Sequence, residues 1–333
     1  MSVSSMSTKE QVLRALLGAE DALSGSALAA ALGVSRSAVW KAIEQLREDG
    51  YSIGAVTNRG YRLLGGANVL SVAEIEKYMQ PGEVGAHFEM HAQIESTNDR
   101  AKELAVQGAV HGSIVLAERQ SRGRGRFGRV FHSPEGSGLY LSCILRPDIP
   151  AERAVMITSM AAVAVARAIE KVADVQAQIK WVNDVYIGSR KVCGILCEAG
   201  LDFESGQMQY VVMGIGVNVG EMEFPDELRD IGTSIANECG HALSRSRFAA
   251  ELLNELNRLY PQLAEGGFME EYRRRSNVIG RDVKVLRGGE SYPATVLDID
   301  SEGSLVVRTA EGELQKLHSG EISLRFGLNT LRR

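Results

Sequence analysis

The stretch RGRGRFGR, residues 122–129, holds four arginines and three glycines in eight positions of a 333-residue chain whose formal net charge is −5. Arginine grips carboxylates and phosphates through a planar fork of donors, and glycine lets backbone N–H groups approach the same oxygens. The combination reads as a phosphate-cradling loop that stays mobile until a ligand orders it. A merely solvated charged loop has no need of three glycines. An RGG-type RNA tail is longer, more repetitive and terminal, and a minor-groove hook inserts as a free arm. This stretch lies instead between two strand-like runs. It is not a P-loop, because GxxxxGK[ST] is absent.

Three further stretches carry chemistry-bearing residues. KWVNDVY (180–186) puts Lys180 at the end of a strand, with Asn183 and Asp184 in the turn that follows. ESTNDRAKELA (95–105) places Ser96 and Asp99 at capping-box spacing. GIGVNV (214–219) spaces its glycines two apart but is not GxGxxG. Taken singly, each has a plain reading as turn chemistry, a helix start or a strand with small residues. Together they weigh against the plain readings more than any one of them alone.

These stretches need elements to hold them. HFEMHAQI, SIVLAE, GLYLSCIL, VQAQIKW, KVCGILCEA and QYVVMGIGVNV read as strands joined by short turns. TNDRAKELAVQ and SRFAAELLNELNRLYPQL read as amphipathic helices, and AVMITSMAAVAVA (154–166) as a buried core helix too short to span a bilayer. The pattern predicts an α+β domain with an antiparallel-rich mixed sheet over residues 69–276. From 277 to 333, short strands with glycine turns predict a small SH3-like β-barrel.

Residues 1–66 form a different unit. A short Ala/Leu helix ends at Gly33, and a second begins with Ser35 as N-cap and buries Val39, Ile43 and Leu46. The alternating YSIGAVTNRGYRLL (51–64) then predicts a hairpin, which completes a winged helix-turn-helix. Ser35, Arg36, Ser37 and Lys41 start the reading helix, and Asn58 and Arg59 tip the wing, so these are the expected DNA contacts. Residues 1–64 hold seven Lys/Arg against six Asp/Glu, so one copy binds DNA weakly and a dimer on two half-sites is expected.

Composition bounds the rest. With 44% hydrophobic residues the chain is too apolar for disorder, and its mild acidity excludes a protein that coats nucleic acid or membrane over its whole surface. The four cysteines match no CxxC pattern and read as reduced, buried thiols. No signal peptide is read at the start, so a cytoplasmic protein with no membrane partner is expected.

In order and spacing, STN (96–98), GRGRFGR (123–129), KWVND (180–184), GIGVNV (214–219) and GEISLR (320–325) resemble the biotin protein ligase family. The added winged helix-turn-helix is similar to that of bifunctional members that also repress the biotin operon. The resemblance implies that ATP and biotin give biotinoyl-AMP and pyrophosphate, with magnesium, and that biotin then passes to a lysine of the biotin carboxyl carrier protein of acetyl-CoA carboxylase. It implies Ser96, Thr97 and Asn98 at the biotin ureido ring, with Gln120 in the same pocket. Gly123, Arg124, Gly125 and Arg126 form the loop over the biotin tail and phosphate, and Arg129 faces the triphosphate. Lys180, with Arg126, is the catalytic cation between carboxylate and α-phosphate. Asn183 and Asp184 shape that end, with Asp184 near magnesium or the incoming lysine. Gly194 borders biotin and, with Asn218 and Arg325, the adenosine or phosphates.

Two departures stand out. Val182 stands where the family usually has proline, and the loop GEMEFPDELRDIGTSI (220–235) has Phe224 but no tryptophan. The family further implies operator DNA as partner and a homodimer favoured by biotinoyl-AMP. Lipoate ligase shares the core fold, and a DNA-binding biotin sensor without catalysis is the reading from another class. The Arg/Gly loop and the DNA module favour biotin over lipoate, and retention of Lys180 with the arginines argues against a pure sensor.

Overall fold

The computed structural model describes residues 6–56, 59–65, 69–202, 204, 207–287, 290–318 and 320–324. Helices α1 (Thr8–Gly18), α2 (Gly25–Leu32) and α3 (Arg36–Glu48) open the chain. Ser7, Ser24 and Ser35 cap them, each hydroxyl accepting the backbone N–H three residues on. Such a cap contributes about 1 kcal/mol. Val12, Leu16, Leu28, Val39, Ile43 and Leu46 bury their side chains in one small core. The antiparallel hairpin β1 (Ser52–Val56) and β2 (Gly60–Gly65) follows, and Arg47 of α3 ties it down through two N–H donors to the Ile53 carbonyl, at 3.0 and 2.7 Å.

The central unit runs α4 (Val72–Tyr78), β3 (His87–Ile94), α5 (Thr97–Val106), β4 (Ser113–Gln120), β5 (Gly138–Leu145), α6 (Val155–Ala173), β6 (Gln178–Lys180), β7 (Asp184–Ile187), β8 (Arg190–Leu201), β9 (Met208–Asn218), α7 (Ile235–Cys239), α8 (Arg245–Leu259) and α9 (Met269–Arg274). Its seven strands pair in the order β3-β4-β5-β9-β8-β7-β6. Only β3 and β4, joined through α5, run parallel; the other pairs are antiparallel. The mixed sheet expected from sequence is therefore present. α6 is apolar almost all round because it is packed almost all round, against the sheet and α8. Its Met156, Ile157, Met160 and Val163 are fully buried, each worth about 1.5–3 kcal/mol of transfer free energy. Among the described residues no helix is long and apolar enough to cross a membrane.

The C-terminal unit is a five-stranded antiparallel sheet of β10 (Asp282–Arg287), β11 (Glu290–Ile299), β12 (Leu305–Thr309), β13 (Leu314–Leu317) and β14 (Glu321–Leu324), in the order β13-β12-β11-β10-β14. Its Val283, Val285, Val296 and Val307 belong to the same apolar cluster as the central unit, whereas the N-terminal helices keep a core of their own. The four cysteines are unpaired; Cys143 and Cys193 are buried, and burial pushes both thiols far above their ordinary range.

Candidate active site

A cavity of about 390 Å³ opens on the sheet where β4 ends and α5 begins, a volume suited to a small ligand. Among the described residues, five Arg or Lys side chains (Arg124, Arg126, Arg129, Lys180, Lys191) line it against one carboxylate, Asp184. That imbalance favours anions. Another part of the wall is built of hydrogen-bonding side chains and apolar residues.

This part starts from the N-terminus of α5. Ser96 caps the helix, accepting from Asp99 N at 3.3 Å, but the Asp99 carboxylate pairs with Lys102 and Arg124, so the reading as a plain helix N-terminus describes it. Thr97 N and Oγ1 both donate to Gln120 Oε1, at 2.9 and 3.1 Å, and Gln120 Nε2 donates to Ser133 Oγ at 3.0 Å. Asn98 Nδ2 donates to Glu198 Oε2 at 2.9 Å, and its Oδ1 accepts from Ser142 Oγ at 2.6 Å. These polar groups are nearly all mutually satisfied, so they hold one arrangement. The glycines of β9 explain how they fit. Alternation puts Gly214 and Gly216 on one face. A Cβ at 214 would lie 1.9 Å from Asn98 Oδ1, and one at 216 would lie 2.6 Å from the Phe131 ring.

The Arg/Gly loop folds back on itself, with Gly125 N donating to Arg129 O at 2.7 Å and Phe131 N to Gly123 O at 2.9 Å. Phe127 sits at its tip in the left-handed region, φ 57°, under the Arg126 guanidinium. Arg126 reaches across to Asn183 Oδ1 and the Gly320 carbonyl, both at 3.1 Å. Arg124 pairs with Asp99 at 2.5 Å and Glu198 at 3.5 Å, and Lys102 joins the same two carboxylates. Burial opposes ionisation of Asp99, but the hydrogen bonds from Lys102 and Arg124 outweigh it and hold the carboxyl below its ordinary value.

Lys180 ends β6, its ammonium 5.8 Å from the Tyr186 ring centroid. The turn beyond it is pinned from below: buried Trp181 donates Nε1–H to the Gly303 carbonyl at 2.9 Å, and Tyr272 donates its hydroxyl to Val182 O at 2.9 Å. Asp184 is not in this turn, as the sequence implied, but opens β7, because its backbone pairs with both Lys180 and Gly194. Its Oδ1 lies 2.7 Å from Lys191 Nζ. Asn218 donates to Thr233 O at 2.9 Å and so holds the 219–234 segment, whose Phe224 also lines the cavity.

One cavity thus brings together Ser96, Thr97, Asn98, Gln120, Arg124, Gly125, Arg126, Arg129, Lys180, Asn183, Asp184, Gly194 and Asn218. Gly123 sits behind the wall, where a Cβ would lie 2.5 Å from Phe131 O and from Ser133 Oγ. Arg325 lies outside the described residues. Sequence reasoning missed Ser133, Ser142, Lys191 and Glu198, whose roles depend on strand neighbours far apart in the chain. No group of three or more His, Cys, Asp or Glu forms a metal cage among the described residues. The donor set fits a magnesium ion carried on phosphates, which needs only one or two protein carboxylates.

Three family models match the chain: the biotin/lipoate A/B protein ligase family over residues 90–218, an HTH domain over 8–62, and the biotin protein ligase C-terminal domain over 278–325. The bifunctional ligase/repressor BirA of Bacillus subtilis is 39% identical over 91% of this chain and 94% of its own. The chain belongs to the bifunctional biotin ligase/repressor family. The Escherichia coli bifunctional ligase/repressor BirA is 31% identical over 94% of this chain and 96% of its own. The solved biotin protein ligase from Aquifex aeolicus in complex with biotin and ATP superposes with a TM-score of 0.62 at 27% identity, covering 72% of this chain and 99% of that one.

A ligase/repressor also needs a DNA face. On α3, Arg36, Ser37 and Lys41 are exposed, as is Arg59 beside the wing tip; Asn58 lies outside the described residues. Ser35 is engaged as the helix cap, its hydroxyl 3.1 Å from Ala38 N and 2.8 Å from Ser37 Oγ. Trp40, unnoticed in the sequence, stands 58% exposed between Ser37 and Lys41.

Proposed function

We propose that this chain is an ATP-dependent biotin protein ligase that also acts as a biotin-operon repressor. The carrying observation is one cavity that joins a satisfied polar nest of Thr97, Asn98 and Gln120, with Arg124 beside it through Asp99 and Glu198, to the further cations Arg126, Arg129, Lys180 and Lys191. The nest suits a neutral cyclic urea, which both donates and accepts hydrogen bonds, and the cations suit a carboxylate meeting a triphosphate.

The biotin carboxylate attacks the α-phosphorus of ATP, the bond to the β-phosphate oxygen breaks, and pyrophosphate leaves. A carrier lysine amine then attacks the acyl carbon, loses a proton and expels AMP. Lys180 and Arg126 stand between the two anions and offset their repulsion. Arg129 meets the outer phosphates, Asn183 orients Arg126, and Gly123, Arg124 and Gly125 shape the loop over the biotin tail. Gly194 and Asn218, with Arg325, border the adenylate. Asp184 is the carboxylate that would hold magnesium brought by the nucleotide, which would supply charge neutralisation for the phosphates. A site closed by such a loop also shields the adenylate from water.

Residues 1–66, 69–276 and 277–333 act as DNA-binding, ligase and C-terminal units. The carrier substrate is the biotin carboxyl carrier protein of acetyl-CoA carboxylase, and the work is cytoplasmic. A net charge near +1 on the N-terminal unit favours a repressing homodimer, stabilised when biotinoyl-AMP orders the loops. The direct test is incubation with biotin, magnesium-ATP and apo carrier domain, read by mass spectrometry. The carrier should gain one biotinoyl group; no mass change, or a lipoyl group gained in a parallel incubation with lipoate, refutes the reading. Sedimentation with biotin and ATP should show self-association, reversed by apo carrier.

A further inference from the structure

We propose that Trp40 is a base-reading residue of α3, and that the group it reads is the 5-methyl of thymine in the DNA major groove. The inference rests on the repressor reading above and names the DNA chemistry that the helix takes. The two faces of α3 carry it. Val39, Ala42, Ile43 and Leu46 are buried on one side, and Arg36, Ser37, Trp40 and Lys41 are exposed on the other. At 3.6 residues per turn Trp40 stands about 40° from Arg36 and about 100° from Lys41 around the axis, so the indole lies between the two cations. It is no part of the core that the buried residues form. Alanine also makes a better helix than tryptophan, so neither packing nor propensity accounts for a large ring here.

The helix also differs along its length. Its C-terminal half serves the fold: Glu44 pairs with Arg47 at 2.7 Å, Arg47 donates to the Ile53 carbonyl of the hairpin, and Asp49, just past the helix, pairs with Lys9 at 2.7 Å. The N-terminal half, residues 36–43, holds no carboxylate, so a polyanion can approach it. Helices of this motif meet base edges with their N-terminal residues. The hydroxyls there are already engaged: Ser35 Oγ accepts from Ala38 N at 3.1 Å and lies 2.8 Å from Ser37 Oγ. Arg36 and Lys41, with Arg59 beside the wing tip, are exposed cations suited to phosphates, contacts that fix position but carry no sequence. That leaves the indole for the bases. The apolar group on the floor of the major groove is the thymine methyl, which cytosine and the purines lack. A ring that is exposed in the free chain and covers that methyl on binding gains its apolar burial in the complex alone.

The test takes the full-length chain with biotin and magnesium-ATP and first selects its preferred duplex from a random-sequence DNA pool. Binding titrations then compare that duplex, the same duplex with deoxyuridine in place of thymine, and a scrambled duplex. For the wild-type chain, removing the methyl groups should weaken binding about fourfold or more, which is what burial of one methyl contributes. W40A should lose about tenfold or more on the selected duplex, stay within about twofold on the scrambled one, and no longer distinguish thymine from deoxyuridine. W40F, which keeps an aromatic ring, should recover part of both. The melting transition of W40A should match wild type, since the ring lies outside the core; W40Q replaces it with the same expectation if the alanine variant does not fold. Equal losses on selected and scrambled DNA overturn the proposal, as does a W40A chain that still prefers thymine by the wild-type factor. A wild-type chain that selects no sequence overturns the repressor reading and the proposal with it, whereas a selected duplex that W40A binds as tightly as wild type overturns the proposal alone.

Discussion

At the scale of single residues, charge and size at the cavity divide the labour. In the proposed reaction Lys180→Ala removes the cation assigned to the gap between two anions, and a preorganised charge of this kind is worth about 10²–10³ in rate. Biotin-dependent pyrophosphate exchange should fall by that factor while the melting transition stays in place, since Lys180 is not in the core; exchange within twofold of wild type sinks the role. Gly214→Ala acts by size. Its methyl group would meet Asn98 Oδ1 at 1.9 Å and push that side chain from Ser142 and Glu198. Losing satisfied buried partners costs about 1–3 kcal/mol, so the KM for biotin should rise roughly 10- to 100-fold. The KM for ATP should change far less, and an equal rise in both would place the damage elsewhere.

At the scale of elements, what the sequence conveyed and what it concealed follow from the range of the interactions. The helix caps, the apolar stripe of α3, the strands β3 and β5 and the core helix α6 are local patterns, and they stand where their periodicity predicts. The STN, GRGRFGR and KWVND stretches were also legible, because glycine, arginine and lysine are dense there. Lys191 was hidden, since alternation misassigns its face and the bulge at Val192 becomes visible only with β7 alongside. Ser142 was hidden because a buried strand serine gains meaning only from α5 above it. The contact of α4 with α8 was equally silent. Glu74 on α4 is almost fully buried, with Ser244 Oγ 3.3 Å from its Oε1, and burial raises its pKa above the ordinary 4.5. A raised carboxyl favours the folded state while it is protonated, and that contribution is lost as pH rises through the folded pKa. Glu74→Gln should therefore melt higher than wild type at pH 8, with the gain shrinking toward pH 4.5. A gain that does not depend on pH would assign the effect to packing instead.

At the scale of the whole molecule, the two ends attach differently. The N-terminal helices have a separate core and meet the ligase unit chiefly through α1 on α4, with Arg14 paired to Glu76. The C-terminal sheet shares the ligase core, lends Ile322 to the cavity wall and anchors both Arg126 and Trp181. Deleting residues 1–66 should thus spare biotin transfer and abolish operator binding, and a truncated chain that still shifts operator DNA refutes the division. The same layout gives the protein two built-in optical reporters. The chain has two tryptophans. Trp40 lies 58% exposed on α3, and Trp181 lies 3% exposed next to Lys180. Their emission differs in colour, red-shifted for the solvated indole and blue-shifted for the buried one. Operator DNA should quench the first and biotin with ATP should perturb the second, so that one fluorescence spectrum would follow both occupations of the same chain at once.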